Sequence, residues 1–275
     1  MAVTVTIIIR TYNRPHLLRE ALRSVQQQTF CDFEVVLVED GPGTSKHVID
    51  QFPDLNITYH SSGNKVGRCR AANIGLELSE GQYINFLDDD DLFLPNHVQT
   101  MINGFSVYPE AAAIHTSSLE RKVTYVSLDP LKINVAEECE KYNEPLNEGE
   151  ILFQNKFPIQ AVMFKRELYE KYGGLDEKLE YLEDWDLWIK YSLQGKFCYI
   201  DEVTSVYHVP ADRQRLNERH KQLKDYEKVI HEKYRKYREA SNYRPPTRFT
   251  KLKTYLNKYG IRKTVKKLVE KMMYR

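Results

Sequence analysis

Residues 82–91 of this 275-residue chain read Gln-Tyr-Ile-Asn-Phe-Leu-Asp88-Asp89-Asp90-Asp91. An apolar run of this length that ends in charge predicts a buried strand whose last residues reach the edge of a sheet. Four adjacent carboxylates repel one another, and carboxylate oxygens suit Mg²⁺ or Mn²⁺. The alternative is an acidic loop that caps the next helix or faces solvent. The position directly after a buried strand favours the metal-binding interpretation.

Strand-like runs at residues 3–9, 35–38 and 57–60 alternate with helical patterns, including one over Arg68–Leu78. This alternation predicts an α/β fold built from βαβ units on a mainly parallel sheet. Residues 11–14 and 39–40 directly follow two of these strands, as the aspartates follow theirs. Because ligands bind outside the carboxyl ends of parallel strands, we expect all three segments to meet in one cleft.

The second half of the chain is less regular. Short strands are predicted at 111–115, 122–126, 161–165, 197–200 and 203–209, with helices at 167–172 and 184–194. The polar stretch from 128 to 155 indicates an insertion or a mobile loop, and its residues are candidates for choosing an acceptor. The chain is therefore expected to divide into a core at 1–211 and a charged helical extension at 212–275.

A second acidic cluster, Glu183-Asp184-Trp185-Asp186, begins the aromatic-rich helix. Acidic residues in a first helical turn are commonly explained by the helix macrodipole. The functional alternative is that one carboxylate points into the cleft beside Trp185 and acts as a general base. The residues alone leave both interpretations open.

Charge and composition exclude several classes. The chain carries 40 Lys+Arg and 39 Asp+Glu, a net +1, which does not fit a dedicated nucleic-acid-binding protein. Its four cysteines are widely spaced and predict neither a zinc site nor a disulfide scaffold. No run of about 18 apolar residues and no basic leader is seen, so a cytoplasmic chain without a membrane span is expected.

The net charge conceals an asymmetry. Residues 248–275 contain ten Lys/Arg and one acid, a net +9, which leaves 1–247 at −8. Apolar residues recur at helical spacing in this tail, so it is expected to bind the inner membrane surface as a basic amphipathic segment. The alternative is that its apolar stripe packs on the acidic core.

With these segments in view, the chain resembles the inverting, nucleotide-sugar-dependent glycosyltransferases of family 2, which have the GT-A fold. Four blocks carry the resemblance in order: residues 5–14, residues 35–41, residues 81–95 with their D-x-D motif, and residues 173–177 followed by 183–188. The resemblance covers roughly residues 3–210. It implies a Rossmann-like mixed sheet, a divalent Mn²⁺ or Mg²⁺ cofactor, and transfer of one sugar.

The roles implied by the resemblance carry over residue by residue. The donor nucleotide, expected to be a UDP-sugar, would be bound by Thr11, Tyr12, Arg14, Asp40, Arg70, Asp88 and Asp89. Asp88 and Asp90 would hold the metal, and Asp184 would deprotonate the acceptor hydroxyl. Glu183 and Trp185 would contact the acceptor, a glycan or a lipid-linked sugar. Asp91 is expected to cap the following helix.

Two positions depart from the family pattern. Arg70-Ala-Ala-Asn73 replaces a common Ala-Arg-Asn, which leaves the diphosphate contact open between Arg68 and Arg70. His208 is displaced from its usual place, so a metal or phosphate contact and an ordinary strand histidine both remain open. The implied pathway is bacterial surface polysaccharide or glycoconjugate synthesis. A sugar-1-phosphate nucleotidyltransferase and a non-catalytic nucleotide-sugar-binding protein are the alternatives, although the Gly-rich loop of the former is missing.

Overall fold

A computed structural model describes residues 3–245 of the chain. Within that range the strands are β1 Val5–Thr11, β2 Phe33–Glu39, β3 Ile57–Ser61, β4 Tyr83–Asp88, β5 Leu92–Phe93, β6 Ala113–Leu128, β7 Leu131–Lys141, β8 Val162–Lys165 and β9 Phe197–Pro210. The helices are α1 Pro15–Gln26, α2 Lys46–Ile49, α3 Arg68–Leu78, α4 His97–Val107, α5 Arg166–Tyr172, α6 Glu183–Ser192, α7 Arg213–Lys233 and α8 Arg235–Ala240.

The strands of residues 3–245 form one mixed sheet in the order β3-β2-β1-β4-β8-β6-β9-β5, with β7 paired to β6. Neighbours among β3, β2, β1 and β4 run parallel, as do β6 and β9. The short β8 runs antiparallel between β4 and β6. The carboxyl ends of β1, β2 and β4 consequently lie along one edge.

Successive side chains of β1 pack on opposite faces of the sheet. Ile7 and Ile9 belong to the apolar cluster that includes α1 and α4, whereas Ile8 packs in the cluster that includes α3 and α6. In a strand, successive side chains point to opposite faces, so three consecutive isoleucines serve both layers. Helix α3 approaches β1 closely at Gly75, where an added Cβ would lie 2.4 Å from Ile8. This packing fixes the helix whose first turn reaches the cleft.

The prediction of an insertion or mobile loop at 128–155 is wrong for residues 131–141. Residues 131–141 form β7, which makes a long hairpin with β6, and the two strands predicted at 111–115 and 122–126 are parts of β6. Most of β7 is exposed, and its alternation of apolar and polar residues is confined to residues 131–135, so the pattern of a half-buried strand is weak. Cross-strand ion pairs hold the hairpin: Lys122 lies 2.6 Å from Glu137, and Arg121 pairs with Glu138.

The described part of the C-terminal extension is anchored on the core at one end. Ile230 and Tyr234 join the cluster that contains Trp185 and Trp188. Lys233 Nζ lies 2.7 Å from Asp176 and 2.8 Å from the buried Asp186. The C-terminal end of α7 is thereby fixed, while its N-terminal end lies beside β9. The tail at 248–275 lies outside the described residues.

Candidate active site

Three segments that follow parallel strands meet in a cleft of 590 Å³. The cleft is lined by Thr11, Tyr12, Arg14, Asp40, Arg68, Arg70 and Asp88, among others. This convergence follows from topology, because β1, β2 and β4 are adjacent and parallel. Lys65, which the sequence did not single out, also lines the cleft, with Nζ 4.6 Å from the centre of the Tyr12 ring.

Asp40 is held by the loop that leads into α3. Its carboxylate accepts from the amide of Val66 at 2.5 Å and from that of Gly67 at 3.1 Å. Gly67 has φ +94°, a left-handed conformation that suits glycine and turns both amides toward the carboxylate. The loop after β2 and the start of α3 therefore form one wall.

Glu39 was expected at the cleft together with Asp40, but the sequence assigned it no role. It is fully buried and accepts from the amides of Thr44 and Ser45, each at 2.8 Å, and from the Tyr59 hydroxyl at 2.7 Å. Burial alone would raise its pKa, but these hydrogen bonds outweigh burial and lower the pKa of Glu39 to about 2. Glu39 thus braces the loop that presents Asp40.

Asp88 ends β4 and is neutralised by arginines. Arg10 Nε donates to Asp88 Oδ1 at 2.7 Å, and Arg68 lies 3.5 Å from Oδ2. Burial opposes ionisation, yet the two guanidiniums prevail and hold the pKa of Asp88 well below its usual range. Arg10 is a buried charged residue inside an apolar strand, and that was the available sequence signal for it.

Asp89 was predicted to contact the donor, but its side chain is fully buried. One of its oxygens accepts from the Thr11 hydroxyl at 2.6 Å, and Arg14 pairs with the same carboxylate. Arg14 also lies 2.9 Å from Asp90. Asp89 therefore positions Thr11 and Arg14 rather than lining the cleft, and burial raises its pKa to about 7.

Carboxylate oxygens of Asp88, Asp90 and Asp91 lie within 4.8 Å of one another, close enough to share a metal ion. The expected role of Asp91 as a helix cap is wrong, because its buried carboxylate accepts from the backbone amide of His208 at 2.9 Å. His208 Nδ1 donates to the Asp90 carbonyl oxygen at 2.5 Å, and among residues 3–245 its Nε2 has no hydrogen-bond partner. That leaves a ring nitrogen with a lone pair beside the aspartates.

Carboxylates outnumber guanidiniums in this cluster. Asp88, Asp89, Asp90 and Glu183 pair with the three guanidiniums of Arg10, Arg14 and Arg68. Asp91 is the fifth carboxylate, and burial raises its pKa, as it does that of Asp89. An oxygen-rich cluster of this kind fits Mg²⁺ or Mn²⁺.

Glu183 joins the second acidic cluster to the first. It is buried, and its Oε1 lies 2.8 Å from Arg10 and 3.1 Å from Arg68. Its position is that of a bridge between β1, α3 and α6. It does not present a free carboxylate to an acceptor, as the sequence had led us to expect.

Asp184 is half-buried at the first turn of α6. Its Oδ2 accepts from Asn155 Nδ2 at 3.1 Å, and its Oδ1 from the amide of Trp185 at 2.7 Å. Burial raises the pKa of Asp184 to about 6, and the neighbouring Glu183 adds to the rise. A carboxylate with this pKa is ionised at neutral pH and basic enough to accept a proton.

One other predicted residue lies elsewhere than expected. Trp185 was assigned to the acceptor, but its side chain is 1% exposed and its indole donates to the Ile151 carbonyl at 2.6 Å. An indole packed into the core does not line a cleft. Arg70 lines the cleft but pairs with Glu77 at 2.7 Å, whereas Arg68 reaches the acidic cluster.

Carboxylates and arginines gathered at the carboxyl edge of a mainly parallel α/β sheet define a ligand-binding α/β protein. The sequence model of the family described as Glycosyl transferase family 2 matches residues 6–173, and the chain belongs to that family. An uncharacterized glycosyltransferase of Haemophilus influenzae is 29% identical over 199 residues, covering 70% of this chain and 63% of the relative. Another, from Rickettsia typhi, is 28% identical over 231 residues, covering 81% and 69%.

Solved structures confirm the fold class. Staphylococcus aureus TarS superposes with a TM-score of 0.60 at 18% identity, covering 75% of this chain and 37% of TarS. The mannosyltransferase PcManGT of Pyrobaculum calidifontis, in complex with GDP-Man and Mn²⁺, gives 0.60 at 21% identity, covering 94% and 71%. Among residues 3–245, no helix combines the length and apolar character that crossing a bilayer requires.

Proposed function

We propose that the chain transfers one sugar from a nucleoside-diphosphate sugar to an acceptor hydroxyl with inversion at the anomeric carbon. The observation that carries the proposal is Asp184, a half-buried carboxylate with a pKa of about 6, joined through Glu183 and Arg10 to the acidic edge of the donor cleft. Residues 1–211 would form the catalytic domain and 212–275 its extension. TarS in complex with UDP-GlcNAc and PcManGT in complex with GDP-Man support a nucleotide-sugar donor.

In the donor cleft, Asp40 would recognise the base and Tyr12 would pack against the nucleoside. Tyr12 is 44% exposed, so its ring is available to a ligand. Arg68, Arg70 and Lys65 would face the diphosphate, since all three line the cleft. Arg14 would approach the phosphates from the acidic cluster with which it pairs.

Asp88 and Asp90 would hold a divalent ion, with Asp91 close enough to assist. The cation supplies charge that offsets the negative charge gathering on the leaving diphosphate. The closeness of the Asp88, Asp90 and Asp91 oxygens supports this, as does the Mn²⁺ in the PcManGT complex.

Asp184 would remove the proton from the acceptor hydroxyl as the new bond forms. Asn155 holds one carboxylate oxygen and the Trp185 amide the other, so the side chain is oriented before an acceptor arrives. Burial keeps water away and makes the carboxylate a stronger base. General base catalysis of this type contributes about 10²- to 10⁴-fold in rate.

The test compares wild type with Asp184→Asn across UDP- and GDP-sugars in the presence of Mn²⁺. Thermal stabilisation identifies the donor first, because a ligand that binds only the folded state raises the Tm. We expect the variant to keep donor stabilisation and lose transfer. Transfer by the variant at the wild-type rate would refute the role of Asp184, and no turnover of any donor by wild type would favour a non-catalytic binding protein.

Two finer expectations remain proposals. The product would enter bacterial surface polysaccharide or glycoconjugate synthesis, and residues 248–275 would bind the inner face of the membrane. A chain ending at Tyr243 should bind anionic vesicles more weakly than the full chain if the tail is a membrane anchor. Equal binding by the two chains would contradict that role.

A further inference from the structure

A second cleft, of 510 Å³, opens on the other side of Asp90 and is not explained by the donor. Asp90 and His208 form its inner end, and the start of α7 forms one wall through Arg215 and Arg219. The facing wall contains Val123 and Tyr125 of β6 and Pro210 of β9. Asp212 also lines the cleft, and its carboxylate accepts from the backbone amide of Arg215. The cleft therefore has two arginines on one side and a largely apolar wall on the other, and it ends at the proposed metal site.

The two arginines are spaced to act together. They are four residues apart on α7, so they lie on one face, one turn from each other. Both are exposed, and neither forms a salt bridge with a carboxylate anywhere in residues 3–245. Residues 1–247 carry a net −8, and most arginines around the donor cleft pair with acids. Two unpaired guanidiniums at one cleft are therefore available to an anionic ligand.

The apolar side continues beyond the cleft along the hairpin. Val123 pairs with Val135, and Tyr125 pairs with Ile133, across β6 and β7. Paired residues of adjacent strands share a face, so Ile133 and Val135 extend the surface that Val123 and Tyr125 begin. These two β7 residues are 38% and 44% exposed. A ligand that enters the cleft would meet cations on one side and a half-exposed tyrosine with aliphatic neighbours on the other.

The second cleft meets the donor side at Asp90. Asp90 lines the second cleft, and it lies 2.9 Å from Arg14, which lines the donor cleft. A molecule bound between the two arginines and Asp90 would therefore lie next to the proposed metal site.

We propose that this cleft binds an acceptor carrying a phosphate group, and that Arg215 and Arg219 bind that phosphate. The inference rests on the proposed transferase function and specifies the class of its acceptor. Arginine presents a planar fork of N–H donors that matches phosphate oxygens, and two forks one turn apart can share one group. The phosphate belongs either to a soluble glycosyl or polyol phosphate or to a lipid headgroup, and the same arginines would bind both.

The test measures binding of sn-glycerol 3-phosphate to the full chain whose donor cleft is filled with nucleoside diphosphate and Mg²⁺. Arg215→Gln and Arg219→Gln should each weaken binding about 10-fold, as expected for loss of one charge-assisted contact. Lys224→Gln is the matched control, because it removes one positive charge from the same helix outside the cleft. Unchanged binding by the double variant, or equal weakening by the control, overturns the proposal.

Two further arms identify the source of the phosphate and separate the proposals. If the acceptor is a lipid, the double variant should bind phosphatidylglycerol vesicles more weakly than wild type, since both chains keep the basic tail at 248–275. Vesicles of phosphatidylcholine serve as the neutral comparison. Phosphate binding through Arg215 and Arg219 without turnover of any nucleotide sugar would contradict the proposed transferase function alone. Normal turnover with unchanged phosphate binding in the double variant would contradict this inference alone.

Discussion

Arg10 Nη2 donates to Glu183 Oε1 across 2.8 Å, although the two residues are 173 positions apart. The same guanidinium donates through Nε to Asp88. One side chain of β1 therefore connects the end of β4, where the metal cluster begins, to the first residue of α6. The donor side and the helix that carries the proposed base are held at a fixed spacing by this buried contact.

Replacing Arg10 with Leu should strongly destabilise the fold. The substitution leaves Asp88 and Glu183 buried without their main counter-charge, which typically costs about 3–5 kcal/mol. Urea unfolding followed by circular dichroism measures the loss. Arg23→Gln is the control, since it removes an exposed pair with Glu20 and should cost less than about 1 kcal/mol. If both variants unfold at the same urea concentration, the contacts of Arg10 with Asp88 and Glu183 do not stabilise the fold more than a surface ion pair does.

The pH dependence of transfer should report Asp184. A base acts only when it is deprotonated, and the pKa of Asp184 is raised to about 6. We therefore expect kcat/KM to be constant above pH 7 and to fall about tenfold per pH unit well below pH 6. Initial rates at saturating metal and varied acceptor give the profile. A profile that stays flat down to pH 4.5 would assign proton removal to another group.

Asn155 should affect the pH at which kcat/KM begins to fall. Its side-chain amide donates to Asp184 Oδ2, and this hydrogen bond lowers the pKa by favouring the ionised carboxylate. Asn155→Ala should therefore move the acid limb of kcat/KM to higher pH. Asn103→Ala, at a surface contact with Gln99, should leave the limb in place. A shift toward lower pH in the Asn155 variant would contradict the assigned contact.

Metal binding should depend most on Asp90. Asp88 pairs with both Arg10 and Arg68, whereas within residues 3–245 Asp90 pairs with a single guanidinium, that of Arg14. Asp90→Asn should weaken Mn²⁺ binding at least about 10-fold, the effect of losing one charged ligand. Titration of Mn²⁺ by electron paramagnetic resonance measures this without any donor. Asp54→Asn, on an exposed loop, should bind Mn²⁺ as wild type does.

Acid should destabilise the protein through His115. This residue is fully buried between Phe157 and Tyr199, and within residues 3–245 neither ring nitrogen has a hydrogen-bond partner. Burial lowers its pKa to about 3, whereas an unfolded histidine titrates near 6.5. The unfolded state therefore binds more protons between these values. Stability is fully present above pH 6.5 and falls by about 1.4 kcal/mol per pH unit below it.

His115→Phe tests this account. The phenyl ring fits an aromatic environment and cannot be protonated, so the variant should lose less Tm than wild type between pH 7 and pH 5. His47→Gln, on the exposed surface, should lose as much as wild type. An equal acid-induced decrease in Tm for His115→Phe and wild type would show that other groups dominate.

Sequence patterns predicted the nucleotide-binding half closely. Helix α3 has the expected bounds, Arg68–Leu78, and β4 ends at Asp88. Both were predictable because a buried strand appears as an apolar run and a helix as an apolar residue every three or four positions. The β6–β7 hairpin was missed because most of β7 is exposed and its apolar alternation is confined to the short stretch at residues 131–135. Helix α4, His97–Val107, also had no prediction.

Side-chain roles were harder to infer than positions. Trp185 stands next to the proposed base in sequence, yet in a helix adjacent residues point about 100° apart, and its indole enters the core while Asp184 remains half-exposed. The four aspartates at 88–91 look equivalent in the sequence, but their partners differ. Asp88 is neutralised by Arg10, Asp89 is buried against Thr11, and Asp91 accepts a hydrogen bond from His208 of β9. Those differences come from partners far away in the chain.

Helix α7 spans 21 residues and is about 30 Å long, and its two ends contact different parts of the protein. Ile230 and Lys233 bind the C-terminal end to the core, while Arg215 and Arg219 stand near the other end, about three turns or more away. Substitutions in the first two turns can change the charge of a cleft without disturbing a single core contact. Related enzymes could in this way diverge in the molecules they modify while inheriting an unchanged catalytic body.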